Sequence, residues 1–204
     1  MANDLSRRQV LGLGVAGAVL ASLPLIAPRA AWALDVGQAR GLIDDVVGEI
    51  NRVINSGGSE AAMLGQFEAL FVRYADVPVI ARSVLGPAGR QASPAQISGF
   101  TKAFQGYISR KYGRRFREFI GGRIEVADAR AVKSYYEVIT TAFLRGEAPF
   151  EVRFQVSDKS GKLLFFNIII EGVNMLASER TEIGAMLDRQ GGNLDALIAE
   201  LQTA

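Results

Sequence analysis

The sequence predicts an α+β fold in which a block of helices precedes an antiparallel meander of about four strands. Three observations carry that prediction. Apolar residues recur at helical spacing from Asp35 to about Phe119, then switch to alternation with period two beyond Arg123. The strands follow one another without helical crossovers, which excludes the alternation of a doubly wound parallel sheet. The most apolar stretch, Leu163 to Ile170, has Asn167 as its one polar residue and ends in three consecutive β-branched isoleucines, the composition of a central strand.

The N-terminal stretch stands apart from this fold. Arg7-Arg8 precedes an apolar run from Val10 to Ile26, and Ala31-Trp32-Ala33 offers small residues at an A-x-A cleavage position. The pattern is that of a twin-arginine export signal over residues 1–33, which leaves 34–204 as one domain in the periplasm. Pro24 and Pro28 interrupt the run and weigh against an uncleaved membrane anchor. Residues 1–33 contain Arg7, Arg8, Arg29 and Asp4, so the 23 basic and 21 acidic residues of the whole chain fall to 20 of each in the remainder. A domain of zero net charge lacks the electrostatic footprint of a nucleic-acid-binding protein.

Asp35 stands as N-cap of the first helix, whose stripe runs through Ala39, Ile43, Val46, Val47, Ile50, Val53 and Ile54 until Ser56-Gly57-Gly58 stops it. A second helix spans about Ser59 to Tyr74 and presents Met63, Phe67, Leu70 and Phe71. Asp76 followed closely by Pro78 opens a short third helix, and Ser93-Pro94 opens a long one by the same device. The long helix carries Phe100, Phe104, Tyr107, Tyr112 and Phe116 as an aromatic stripe. Its polar side holds Arg110, Lys111, Arg114, Arg115 and Arg117, the densest charge run after the signal and a candidate docking surface for an anionic partner. The macrodipole accounts for part of that run, since cations are favoured near a helix C-terminus. Strands are expected at 123–130, 134–144, 150–157 and 163–170, the last two joined by a turn at Asp158-Lys159-Ser160-Gly161. In the last strand, alternation assigns Leu164, Phe166, Ile168 and Ile170 to one face and Leu163, Phe165 and Ile169 to the other. Gly172 then allows a sharp turn into a closing helix.

The residue inventory excludes much chemistry. The chain has no cysteine and no histidine, which removes thiol nucleophiles, Ser-His-Asp triads, thiolate metal sites and nearly all catalytic zinc sites. No phosphate-binding loop follows a strand. Asp44, Asp45 and Glu49 lie on a solvated helix face, and Glu171 at its strand end is expected to pair with Arg180. No enzyme is indicated, and no cofactor or metal. What remains is an abundance of Phe, Tyr and Ile residues between a sheet and a helical wall, either a filled core or a cavity for an apolar ligand. The abundance favours the cavity.

Several separated motifs give the chain a family resemblance. Glu171-Gly172-Val173-Asn174-Met175-Leu176 with Arg180 resembles the I-E-G-V-S-x-x-x-x-x-R signature of the MlaC family. Arg82-Ser83-Val84-Leu85-Gly86 and Ala92-Ser93-Pro94-Ala95-Gln96 resemble its R-x-V-L-G and A-S-P-A-Q. Phe100 and Phe104 match its F-x-x-A-F, and Gly192 to Ile198 is similar to its G-L-D-x-L-I. The chain departs from the pattern at Asn167, where the family often has Asp, and at Asn174, where the signature has Ser. The resemblance implies an NTF2-like α+β fold with lipid tails held between a curved sheet and helices. It also implies a shuttle for phospholipid between an outer-membrane lipoprotein and an inner-membrane MCE-domain ABC transporter. On that basis Phe100, Phe104, Tyr107, Phe154, Val156, Phe166, Ile168 and Ile170 are expected to contact the tails. A hopanoid or other apolar lipid is the alternative cargo, and a solid-core adaptor docking through Arg110 to Arg117 is the alternative function.

Overall fold

The computed structural model describes residues 35–113 and 118–204. The expected signal at 1–33 and three members of the basic run, Arg114, Arg115 and Arg117, lie outside the described residues.

Helix α1 (Val36–Ile54) begins in a capping box: the Asp35 carboxylate accepts from Gln38 N while the Gln38 side chain accepts from Asp35 N. Its buried stripe is Ala39, Ile43, Val46, Val47, Val53 and Ile54. The C-terminal end of that stripe packs with Met63, Phe67 and Leu70 of α2 (Glu60–Tyr74) in a small satellite cluster. Asp76 caps α3 (Val77–Leu85) through Val79 N, and α4 (Ala88–Gln91) is a single turn between α3 and α5 (Pro94–Gly113). Ser93 and Gln96 form a second capping box at the start of α5, with Ser93 Oγ accepting from Gln96 N at 3.2 Å. Among the described residues no helix is long and apolar enough to cross a membrane.

The sheet is antiparallel throughout, in the order β1 (Arg123–Val132), β2 (Tyr135–Phe143), β3 (Phe150–Ser157), β4 (Leu164–Ile170) and β5 (Val173–Asn174). The two-residue β5 adds a fifth strand to the four expected. It is reached through Glu171 and Gly172, both at positive φ (48° and 82°), the geometry of a tight hairpin turn in which only glycine is unstrained. Helix α1 is pinned to the edge strand by Asn51, whose amide donates to Ile124 O and accepts from Ile124 N, both at 2.9 Å. The α2–α3 junction is tied to β4 by Asp76 N donating to Phe165 O at 2.8 Å. Helices α6 (Met175–Arg189) and α7 (Leu194–Thr203) close the chain, each begun by an asparagine cap.

A bulge between Gln155 and Val156 corrects the face assignment made for β4. Ile170, Ile168 and Asn167 pair with Val152, Phe154 and Gln155, but Val156 faces Phe165 rather than Phe166. The extra residue resets the alternation, because two residues of one strand then oppose one of the other. Phe165 therefore joins the helix-facing core, edge-on to Phe154 at 5.6 Å, and Phe166 turns to the opposite face against Tyr135 at 5.7 Å. The expected pair of Glu171 with Arg180 is also absent among the described ion pairs. Arg180 instead lays its guanidinium over Gly86, 2.9 Å from where a Cβ would stand. Gly86 itself has φ 56°, so backbone and neighbour both require glycine there.

Candidate functional site

All but one of the residues expected to line a lipid site belong to or border one buried apolar cluster, in which α5 packs on α2, α3 and α7 and the sheet packs against α1, α3 and α6. Phe100, Ala103, Phe104 and Tyr107 fall on one face of α5, three or four residues apart, and all are buried. Phe100 and Phe104 have no exposed surface and stack with centroids 5.6 Å apart, and Tyr107 follows at 6.5 Å. The sheet contributes Val138, Phe154, Val156 and Phe165 to the same buried cluster, with Ile168 and Ile170 half-buried at its border. Of the eight expected residues only Phe166 lies on the other face, for the register reason given above. Phe100, Phe104 and Val156 are wholly buried in this packing, while Ile168 and Ile170 keep part of their surface accessible.

The rim of this layer is ionic. Tyr107 buries its ring and donates its hydroxyl to Glu182 Oε1 at 2.6 Å. One turn on, Lys111 Nζ reaches Glu179 Oε1 at 2.8 Å and bonds Glu182 as well, while Tyr112 donates to Glu179. Lys111 also lies 5.4 Å from the centroids of both tyrosine rings. Burial opposes the charge on Lys111, yet its bonds to Glu179 and Glu182 outweigh burial and hold its pKa above the usual lysine value. Burial pushes the Tyr107 hydroxyl up to about 12, assisted by its bond to Glu182. Burial and Glu179 raise Tyr112 as well. Burial also disfavours the Glu182 carboxylate, but Lys111 and Tyr107 more than compensate and lower its pKa. Glu179 is 4% exposed, and its Oε2 has no hydrogen-bond partner among the described residues. The five side chains form a latch between α5 and α6 beside the apolar layer.

The two described members of the basic run, Arg110 and Lys111, are both engaged within the chain. Lys111 is engaged by Glu179 and Glu182. Arg110 bends to the C-terminal carbonyls of α7, its Nη2 donating to Leu201 O at 2.6 Å and its Nε to Ala204 O at 2.8 Å. Carbonyls at a helix end lack intrahelical donors, and a guanidinium fork satisfies two of them. Neither cation is free for a partner. The pairing acids were legible only as a Glu179/Glu182 doublet at helical i, i+3 spacing, with nothing in the sequence to say which cation they face.

A second polar construction occupies the opposite face of the sheet. Arg130 donates to Glu137 at 2.7 Å, Gln155 donates to Glu137 at 3.2 Å, and Asn167 donates to Gln155 at 3.0 Å. The Asn167 amide also donates to Asn174 at 3.0 Å, while its oxygen accepts from Leu176 N at 3.0 Å. Asn174 in turn caps α6 through Ala177 N. Glu137, Gln155 and Asn167 are buried, and together they run a hydrogen-bonded ladder from β1 to the start of α6.

The family model for MlaC protein matches residues 42–203. The chain belongs to the MlaC family. Its fold is similar to that of a phospholipid-binding protein from Ralstonia solanacearum, whose structure is a complex with a phospholipid. The two chains are 18% identical, with a TM-score of 0.67 over 80% of this chain and 98% of the Ralstonia protein. Within this MlaC-family chain, the two departures noted in the sequence, Asn167 and Asn174, are hydrogen-bonded to each other. The Arg82–Gly86 and Glu171–Arg180 motifs likewise meet in space, where Arg180 covers Gly86.

Proposed function

We propose that this chain is a periplasmic phospholipid carrier, exported through the twin-arginine signal at Arg7-Arg8. It moves lipid between an outer-membrane lipoprotein and an inner-membrane MCE-domain ABC transporter. It works by binding and release and not as an enzyme. Family membership and the phospholipid held by the structurally similar Ralstonia protein support binding of that lipid class. The observation that carries the reading in this chain is the buried aromatic and aliphatic cluster to which α5 and the sheet both contribute.

An acyl chain buried from water gains about 0.8 kcal/mol per CH₂, so two tails cross an aqueous space only inside a carrier. The tails enter this cluster by displacing its apolar contacts. Apolar contacts are non-directional, so those between Phe104, Tyr107, Phe154, Val156, Ile168 and Ile170 can be exchanged for contacts with the tails at little net cost. The headgroup then stays at the rim, near Tyr107 and the Lys111 latch.

The test is native mass spectrometry of the mature protein from its periplasm, followed by organic extraction. A bound species of phospholipid mass is expected, and Ile168→Glu should strip it while the far-ultraviolet circular dichroism stays the same. A hopanoid-like mass would keep the carrier and replace its cargo. The closed packing of Phe100 and Phe104 is the observation that favours the adaptor instead. Protein that stays empty after incubation with phospholipid vesicles would decide for it.

A further inference from the structure

Among the described residues a groove of about 800 Å³ lies between α3, α4 and α5, away from the apolar layer. Arg82 of α3, Arg90 of α4 and Lys102 of α5 line it, and all three are exposed. No described residue lining it is an Asp or Glu. None of these cations makes an ion pair or side-chain hydrogen bond with another described residue. Several cations elsewhere are engaged, Arg73 with Glu49, Lys111 with Glu179, Arg130 with Glu137, and Arg110 with the end of α7, whereas scattered cations such as Lys159 and Lys162 line no such groove. A smaller groove of about 410 Å³ between α1 and α2 differs in carrying its own acid, Glu49, which holds Arg73 at 3.0 Å beside Arg52. At the larger groove Arg180 covers Gly86 and adds a fourth cation, the third guanidinium.

We propose that this groove docks a carboxylate-rich segment of a partner protein that also carries an apolar side chain. Positive charge without an internal acid, within a domain of zero net charge, is a local complement for an anionic partner. Guanidinium forks from separate helices favour carboxylates held in a fixed arrangement. The trough is concave and includes Pro94 and Ile97, so it offers an apolar side chain a place that a flat bilayer cannot fill. The docking role rests on the carrier proposal, since a carrier must engage a partner to load and unload. It places a docking face on cations that are scattered in the sequence rather than gathered in a run.

The probe is a fluorescein-labelled peptide rich in glutamate and leucine, titrated into the purified protein at low and high salt. Binding that weakens with salt is expected, with none to the lysine–leucine counterpart. The double variant Arg90→Glu/Lys102→Glu should bind about tenfold more weakly while melting like wild type. Arg82→Gln, from a third helix, should also weaken it, whereas Lys159→Glu/Lys162→Glu on the β3–β4 turn should not. Equal loss from the turn variant, or no loss from the groove variants, would overturn the proposal. Preferential groove-dependent binding of phosphatidylglycerol vesicles would overturn it too, in favour of a membrane surface. Lipid extracted from the same preparations separates the two readings. Lipid retained by variants that lose the peptide isolates the groove. Lipid missing from every preparation would sink the carrier and leave the peptide result standing.

Discussion

On the helix-facing side of the sheet, Val138, Phe154 and Val156 share one buried cluster with Phe100 and Phe104, held by apolar contact. On the other side, Glu137, Gln155 and Asn167 are just as inaccessible but are joined by hydrogen bonds from Arg130 to Asn174. The difference separates what can open from what cannot. Apolar layers slide and part without leaving an unsatisfied group, whereas each broken rung of a buried polar ladder strands a donor or acceptor. The sheet is a platform braced by the ladder, while α5 is fastened to α6 by the Lys111 latch.

The largest expected effect breaks the apolar side. Phe104→Ala should lower the unfolding free energy by about 3–5 kcal/mol in urea titrations, because a fully buried ring leaves a cavity. A loss near zero would mean that the site collapses or already opens in solution.

The next tests the ladder. Asn167→Asp sets a carboxylate against the Gln155 and Asn174 side-chain oxygens that Asn167 now donates to, and should cost about 1–3 kcal/mol. Adding Asn174→Ser supplies a donor hydroxyl and should recover roughly 1 kcal/mol in a double-mutant cycle. Strict additivity would show that the two positions are independent.

The latch predicts the pH dependence. Lys111 has a raised pKa, so the stability it contributes is present below the usual lysine range and lost as pH rises above it. Tyr107, raised from 10.0 to about 12, loses its contribution across the same interval. Glu182 and Glu137 have lowered values, so theirs is present above the usual carboxylate range and lost as pH falls through it. Melting temperature should be flat near neutrality and fall on both sides. Lys111→Met should flatten the alkaline limb, and an unchanged limb would remove the latch from the account.

The smallest effect concerns the chain end. Arg110→Ala frees two carbonyls of α7 and should cost about 1 kcal/mol, seen as faster amide exchange near Leu201 with the sheet unchanged. Exchange spreading into β3 would mean that α7 supports the platform as well.

Much of this was legible in the chain. Asp35, Ser93-Pro94 and the stripes of α1 and α5 announced helices, because capping and 3.6-residue periodicity are local properties. Phe154 and Val156 alternate with Gln155 and Ser157, and β3 buries the apolar pair as that alternation requires. Phe166 escaped this logic, since the bulge that turns it outward is set by pairing across two strands and leaves no mark within one. The fate of Arg110 and Lys111 escaped it too. Their partners lie 68 residues away at Glu179 and 91 away at Leu201, and a charge run does not name its acceptors. The groove cations Arg82, Arg90 and Lys102 never form a run at all.

The sequence by itself determined the order of elements, the composition of the apolar layer and the absence of thiol and imidazole chemistry, because each follows from residue type and near-neighbour spacing. The tertiary structure decided which face Phe166 took, how deeply the α5 aromatics were buried, and which cations were paired and which were left at a groove. Those outcomes depend on long-range pairing, where the geometry between elements selects among partners that local pattern leaves equivalent.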